Sequence, residues 1–175
     1  FIENFPYELT PDQLKCSHSL IKDFNSPKMM DRLICGEVGF GKTEMALRAS
    51  YISYMNGFQV CLMVPTTILA EQHYETFTKR FSGYDVDVVL LTRNLSTQEK
   101  KDVYLKILNQ PNLIVIGTHA LMNNKLDFNN VGLLIIDEEH KFGVKQKEKI
   151  KSLKAQIDVM YLSACLLYTS DAADD

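Results

Sequence analysis

Short apolar runs alternate with segments of helical periodicity along nearly the whole chain. The runs are rich in Val, Ile and Leu. They predict strands at Arg32–Cys35, Gln59–Val64, Val86–Leu91, Leu113–Ile116, Leu133–Ile136 and Val159–Leu162. The 3.6-residue pattern predicts helices at Pro11–Phe24, Lys42–Met55, Thr67–Phe81, Thr97–Leu108 and about Lys145–Leu153. Turn residues separate them, as in Asn25-Ser26-Pro27, Asn56-Gly57, Ser82-Gly83 and Gln110-Pro111-Asn112. Several strands are apolar on both faces, which suits a parallel sheet covered by helices. The expected fold class is therefore α/β: a mostly parallel sheet, helices on both faces, right-handed crossovers. Ligands should meet such a sheet at the C-terminal ends of its strands.

One stretch turns this architecture into chemistry. Gly36-Glu37-Val38-Gly39-Phe40-Gly41-Lys42-Thr43 fits G-x-x-x-x-G-K-[ST], the phosphate-cradling P-loop. It stands between an apolar strand and a helix, the setting the motif needs. Its glycines let backbone N–H groups approach phosphates, and the helix N-terminus adds positive potential. Lys42 would neutralise the β- and γ-phosphates of ATP, and Thr43 would place its hydroxyl on Mg2+. The plain alternative is a Gly-rich turn before a helix.

A second signal answers the first. Leu133-Leu134-Ile135-Ile136 runs directly into Asp137-Glu138-Glu139-His140. Asp137 would hold Mg2+, and Glu138 would orient and deprotonate an attacking water. A strand ending in a solvated acidic turn is the alternative. Both signals are what one hydrolytic mechanism demands, so together they weigh more than either alone.

Charge and composition narrow the picture little further. Net charge is −3, so nucleic-acid contact would use a local basic patch. Cys16, Cys35, Cys61 and Cys165 are scattered, with no C-x-x-C pair, and the histidines lack metal-ligand spacing. Zinc and disulfide readings are both poor, and buried cytosolic thiols fit better. No apolar run approaches the roughly 20 residues that span a bilayer, so no membrane partner is expected. Lys145, Lys147, Lys149, Lys151 and Lys154 crowd one segment, better read as a solvated helix face than as a DNA contact.

The Asp-Glu-x-His box downstream of a P-loop resembles the superfamily 2 helicases and translocases. Met30-Asp31-Arg32-Leu33, Gly39-Phe40-Gly41-Lys42-Thr43-Glu44, Val64-Pro65-Thr66-Thr67-Ile68-Leu69-Ala70 and Asp137 to Val144 sharpen this. Together they resemble the first of two RecA-like motor lobes in the transcription-repair coupling factors, over about Phe5 to Ala164. RecG, a branched-DNA helicase, is the near relative; Phe40 and Glu44 fit the coupling factors better. Glu37 stands where Asp is usual, and Lys141 where Arg is usual.

The resemblance implies a RecA-like P-loop NTPase domain over residues 1–164 and a cytoplasmic, ATP-driven enzyme. Its parent would translocate on double-stranded DNA, displace stalled RNA polymerase and bring in excision-repair proteins through other domains. It also implies roles for single residues. Phe5 would stack on adenine, although packing on the core is an equal reading. Gln13 would hydrogen-bond adenine, beside its plain reading in the first turn of a capped helix. Thr66, Thr67, Arg93, Thr118 and His119 would contact the DNA backbone; for the threonines opening a helix, capping alone is the competing account. Phe142-Gly143 would lie between the ATP site and the DNA track.

After Ser163-Ala164 the family pattern of Thr then Pro gives way to Cys165. Residues 165–175 resemble translated sequencing adapter and are expected to be a non-native tail. The expected consequence is weak nucleotide binding and little turnover by the 175 residues alone, since the second lobe would supply transition-state arginines. A RecG-like remodeller of branched DNA, or a nucleotide-switched binding module without motor activity, are the alternatives.

Overall fold

A computed structural model of the chain describes residues 8–36, 41–122 and 130–164. Phe5, the loop from Glu37 to Phe40 and the segment 165–175 lie outside these.

Pro11–Phe24 forms α1, begun by a capping box: the Thr10 hydroxyl accepts from Gln13 N–H, and Gln13 Oε1 accepts from Thr10 N–H. Then follow β1 (Asp31–Cys35), α2 (Lys42–Met55), β2 (Gln59–Met63) and α3 (Thr67–Arg80). β3 (Val88–Leu91), α4 (Thr97–Asn109) and β4 (Ile114–Gly117) come next. β5 (Val131–Asp137), α5 (Val144–Leu153) and β6 (Asp158–Ser163) complete the set. The two first helices have the expected bounds. β3 starts later than its apolar run, because Val86 N–H closes back on Tyr84 O at 2.8 Å instead of joining the ladder. β5 runs on to Asp137, which pairs with Leu162.

The six strands form one sheet in the order β1-β6-β5-β2-β4-β3, and every pairing is parallel. β2 and β4 are buried at every residue. Their side chains alternate between two cores, as the period of a strand dictates. Val60, Leu62, Ile114, Ile116, Leu133 and Ile135 face α1, α2 and α3 through Leu20, Leu47 and Phe77. Cys61, Met63, Val115, Leu134 and Ile136 face α4 and α5 through Ile107 and Ile150. Helices thus cover both faces, and the expected fold class holds. Among the described residues, no helix is long and apolar enough to cross a membrane.

Candidate nucleotide and nucleic-acid site

The P-loop leaves the end of β1 and enters α2. Gly41 is the N-cap of α2 with φ 76 and ψ 10, a left-handed conformation that suits glycine. A Cβ built there would stand 2.0 Å from Gln13 Nε2. The Gln13 amide therefore lies directly against the loop. Thr10, Gln13, Cys16, Gly36, Gly41, Lys42 and Met45 help line a cavity of about 390 Å³. Lys42 and Thr43 are the first two residues of α2, so phosphate here would meet that helix's N-terminus. Gln13 is at once a capping residue and a wall of the cavity. Burial pushes the Cys16 thiol above its ordinary range, with Arg32 partly offsetting this.

The acids stand two strands away. β5 delivers Asp137 at its last residue, half-buried, with Oδ2 at 2.9 Å from His73 Nε2 of α3. Glu138 then turns left-handed, with φ 53 and ψ 50, the one non-glycine residue at positive φ among those described. Such a conformation costs about 1–2 kcal/mol and persists where surrounding structure imposes it. Here Glu138 N–H is held by Leu162 O at 3.2 Å, and Glu138 O accepts from Lys141 N–H at 2.9 Å. Lys141 Nζ is 2.7 Å from Glu138 Oε2, an ion pair by distance, although Oε2 is shielded from solvent and lacks an aligned hydrogen bond. Glu139 and His140 begin a 3-10 turn, and His140 is exposed. Phe142 anchors that turn in the core, and Gly143 caps α5.

β6 lies between the two halves and is bonded to both. Ser163 O accepts from Gly36 N–H at 3.2 Å, and Leu162 O accepts from Glu138 N–H at 3.2 Å. Adjacent carbonyls of one strand end thus fix the entry to the P-loop and the backbone of the acidic box.

The oxygen donors suit a hard cation. Among the described residues no three His, Cys, Asp or Glu side chains converge on one point. An ion held by Thr43 and Asp137 would complete its shell from phosphate and water, as Mg2+ usually does.

The remaining candidates share the other half of the sheet edge. Thr66 follows β2 and caps α3, its hydroxyl accepting from Leu69 N–H at 3.3 Å. Arg93 follows β3 and is exposed. Thr118 and His119 follow β4; Thr118 is only 4% exposed, whereas His119 is open to solvent. Since β2, β4 and β3 are neighbours, Thr66, Thr67, His119 and Arg93 form a row beside the nucleotide half. The lysine segment splits: Lys149 Nζ donates to Met122 O at 2.6 Å, and Lys154 Nζ bonds Asp31 at 3.2 Å and lies over the Tyr161 ring. Lys145, Lys147 and Lys151 are exposed.

Three contributions escaped the sequence reading: His73, Arg80 and the end of β6. Ala70, His73, Phe77 and Arg80 fall at i, i+3, i+7 and i+10, the core-facing stripe of α3. Two ionisable residues on that stripe were the available signal. Cys61 is a buried free thiol.

A family model for the DEAD/DEAH box helicases matches residues 10–172. The transcription-repair-coupling factor of Haemophilus influenzae is 50% identical over 94% of this chain, and that of Bacillus subtilis 48% identical over the same share. The Escherichia coli factor is 43% identical, again over 94%. This chain spans 14% of the length of each of these relatives. Among solved structures, RecG bound to a three-way DNA junction superposes with a TM-score of 0.82. It is 38% identical, and the match covers 94% of this chain and 22% of that one. The helicase MrfA, at 15% identity and a TM-score of 0.70, shares the fold. The resemblance carried by the motifs is borne out. With the P-loop, the acidic box and the parallel sheet in that arrangement, the chain belongs to the DEAD/DEAH box helicase family as a RecA-like domain.

Proposed function

We propose that this chain is the ATP-binding lobe of a double-stranded DNA translocase that displaces stalled RNA polymerase and couples transcription to nucleotide excision repair. The observation that carries the ATP chemistry is the pair of hydrogen bonds from the end of β6 to Gly36 and Glu138. It ties phosphate cradle and candidate base to one strand end. Lys42 neutralises phosphate charge, Thr43 and Asp137 hold the cation, and Glu138 accepts the proton of the attacking water. A bound Mg2+ would supply neutralisation of phosphate charge. The row of exposed Thr66, Arg93 and His119 with half-buried Thr67 contacts backbone phosphates, which gives position without sequence choice. The polymerase and repair roles are supported by the similarity to the coupling factors. Residues 165–175 are proposed to be a non-native tail, and the 175 residues alone to turn ATP over slowly.

A RecG-like action on branched DNA is the second reading, favoured by the superposition on RecG. In the full-length parent, Glu138→Gln should keep nucleotide binding and lose DNA-stimulated turnover, while Lys42→Ala should weaken binding itself. The intact parent should release a stalled transcription complex in the presence of ATP. Branch migration without such release would favour the second reading, and unchanged turnover in Glu138→Gln would remove the assigned base.

A further inference from the structure

α3 touches the acidic box through a side chain with no assigned part in catalysis. His73 Nε2 lies 2.9 Å from Asp137 Oδ2, and the two side chains are only 12% and 15% exposed. An ionised carboxylate only accepts, so Nε2 carries the hydrogen and donates it. The ring is braced edge-on by Phe77, itself fully buried, with centroids 6.5 Å apart at 82°. A histidine so held has little rotational freedom to lose when it binds a carboxylate. Nearly two helical turns separate it from Thr66 and Thr67, about 9–10 Å along the axis. The same helix therefore begins at the proposed phosphate contact and reaches, by one donor, the proposed cation ligand.

We infer that His73 is a positioning residue: it fixes the orientation of the Asp137 carboxylate toward the Mg2+–nucleotide and makes α3 the strut between that carboxylate and the DNA-facing end at Thr66. The inference rests on the ATPase reading above. Partners that orient a ligating group are worth about 10–100-fold in metal affinity, because they remove the ligand's freedom before the ion arrives. His73→Leu keeps bulk and removes the donor. His73→Gln restores an N–H at the distance Nε2 occupied.

The test uses the full-length parent and two readouts. The first is binding of a fluorescent ATP analogue titrated with Mg2+. His73→Leu should raise the Mg2+ concentration for half-maximal binding about tenfold, and His73→Gln should recover most of it. The second is DNA-stimulated turnover, where kcat should fall about tenfold in His73→Leu with little change in KM. Thermal unfolding of both variants separates orientation from folding. Unchanged Mg2+ dependence in His73→Leu would overturn the inference, as would a His73→Gln variant that is fully folded and as impaired as His73→Leu. If Lys42→Ala and Glu138→Gln behave as expected while His73→Leu is silent, only the positioning role fails. If those two variants also behave as wild type, the ATPase reading itself fails.

Discussion

Arg80, the last residue of α3, grips Glu44, the third residue of the P-loop helix: its Nη2 lies 2.9 Å from Oε2 and 3.2 Å from Oε1. Arg48 Nε reaches the same Oε1 at 2.9 Å. Glu44 and Arg48 are each about 5% exposed, so this carboxylate is out of water and depends on its two partners. Removing one member of a buried ion pair leaves an uncompensated charge and costs about 3–5 kcal/mol. Glu44→Ala removes the carboxylate that Arg48 and Arg80 share and should destabilise by about 3 kcal/mol, lowering Tm by about 10 °C. Arg80→Met should cost less, since Arg48 still holds the carboxylate. Urea unfolding measures both; a loss under about 1 kcal/mol for Glu44→Ala would match an exposed pair instead.

Gly41→Ala tests the cradle. The left-handed backbone costs a non-glycine residue about 1–2 kcal/mol. The new Cβ also displaces the Gln13 amide, which breaks the Gln13 Oε1 bond to Thr10 N–H of 3.0 Å. Nucleotide affinity should fall more than about tenfold, the equivalent of 1.4 kcal/mol. In a Gln13→Ala background the steric part vanishes and the backbone part stays. Gly41→Ala should therefore cost less there, measured by nucleotide titration. An equal cost in both backgrounds would mean that the Gln13 contact is immaterial.

How much of this was legible follows from how local each signal was. Thr10-Pro11 and Gly41-Lys42 set the starts of α1 and α2 with nearby residues, and both helices were read to the residue. The strand run Leu133–Ile136 and its acids were equally local. The sheet order was not, because it depends on which strand lies beside which across many residues of chain. Only that order puts β6 between P-loop and acids and gathers Thr66, His119 and Arg93 in one row. His73 and Arg80 were hidden for a related reason: each has a partner more than thirty residues away in sequence. Burial of Thr118 likewise leaves no mark in its own tripeptide.

Gly117, at the end of β4, has no room for a side chain. A Cβ there would meet Leu91 O at 2.3 Å and the Leu121 side chain at 3.1 Å. Leu91 O belongs to the backbone of β3 and cannot rotate away. Gly117→Ala should therefore destabilise by about 1–3 kcal/mol and move the end of β3, with Arg93 two residues beyond it. Unfolding and duplex-DNA binding should both worsen. Full stability with normal DNA affinity would show that the sheet edge yields easily.

Asp158 gives a pH dependence. Its Oδ1 accepts from Met30 N–H at 2.7 Å. Burial nevertheless raises its carboxyl above the ordinary range, the hydrogen bond from Met30 only partly opposing this and Asp23 adding to it. The folded chain keeps this proton to higher pH than the unfolded chain does. Between the two values folding takes up a proton, so this contribution to stability falls as pH rises from the ordinary aspartate range through the raised one. Asp158→Asn keeps an acceptor for Met30 and removes the titration. Its stability should lose that fall and exceed the wild type's near neutral pH. Parallel pH–stability curves for the two proteins would refute the assignment.

Thr66 separates capping from DNA contact. Its hydroxyl caps α3 through Leu69 N–H and is exposed. Thr66→Ala should cost about 1 kcal/mol from the lost cap, whether or not DNA binds there. Thr66→Asp is the discriminating variant. Aspartate caps helices at least as well as threonine and complements the helix dipole, so stability should be kept. Its charge would repel a backbone phosphate at the same spot. Losing a hydrogen bond to a charged group is worth about 1.5–3 kcal/mol, so duplex affinity of the full-length parent should drop about tenfold or more. Thr66→Ser should retain both properties. If Thr66→Asp is stable and binds duplex DNA as the wild type does, the hydroxyl only caps its helix, and the DNA-facing row must be carried by Thr67, His119 and Arg93.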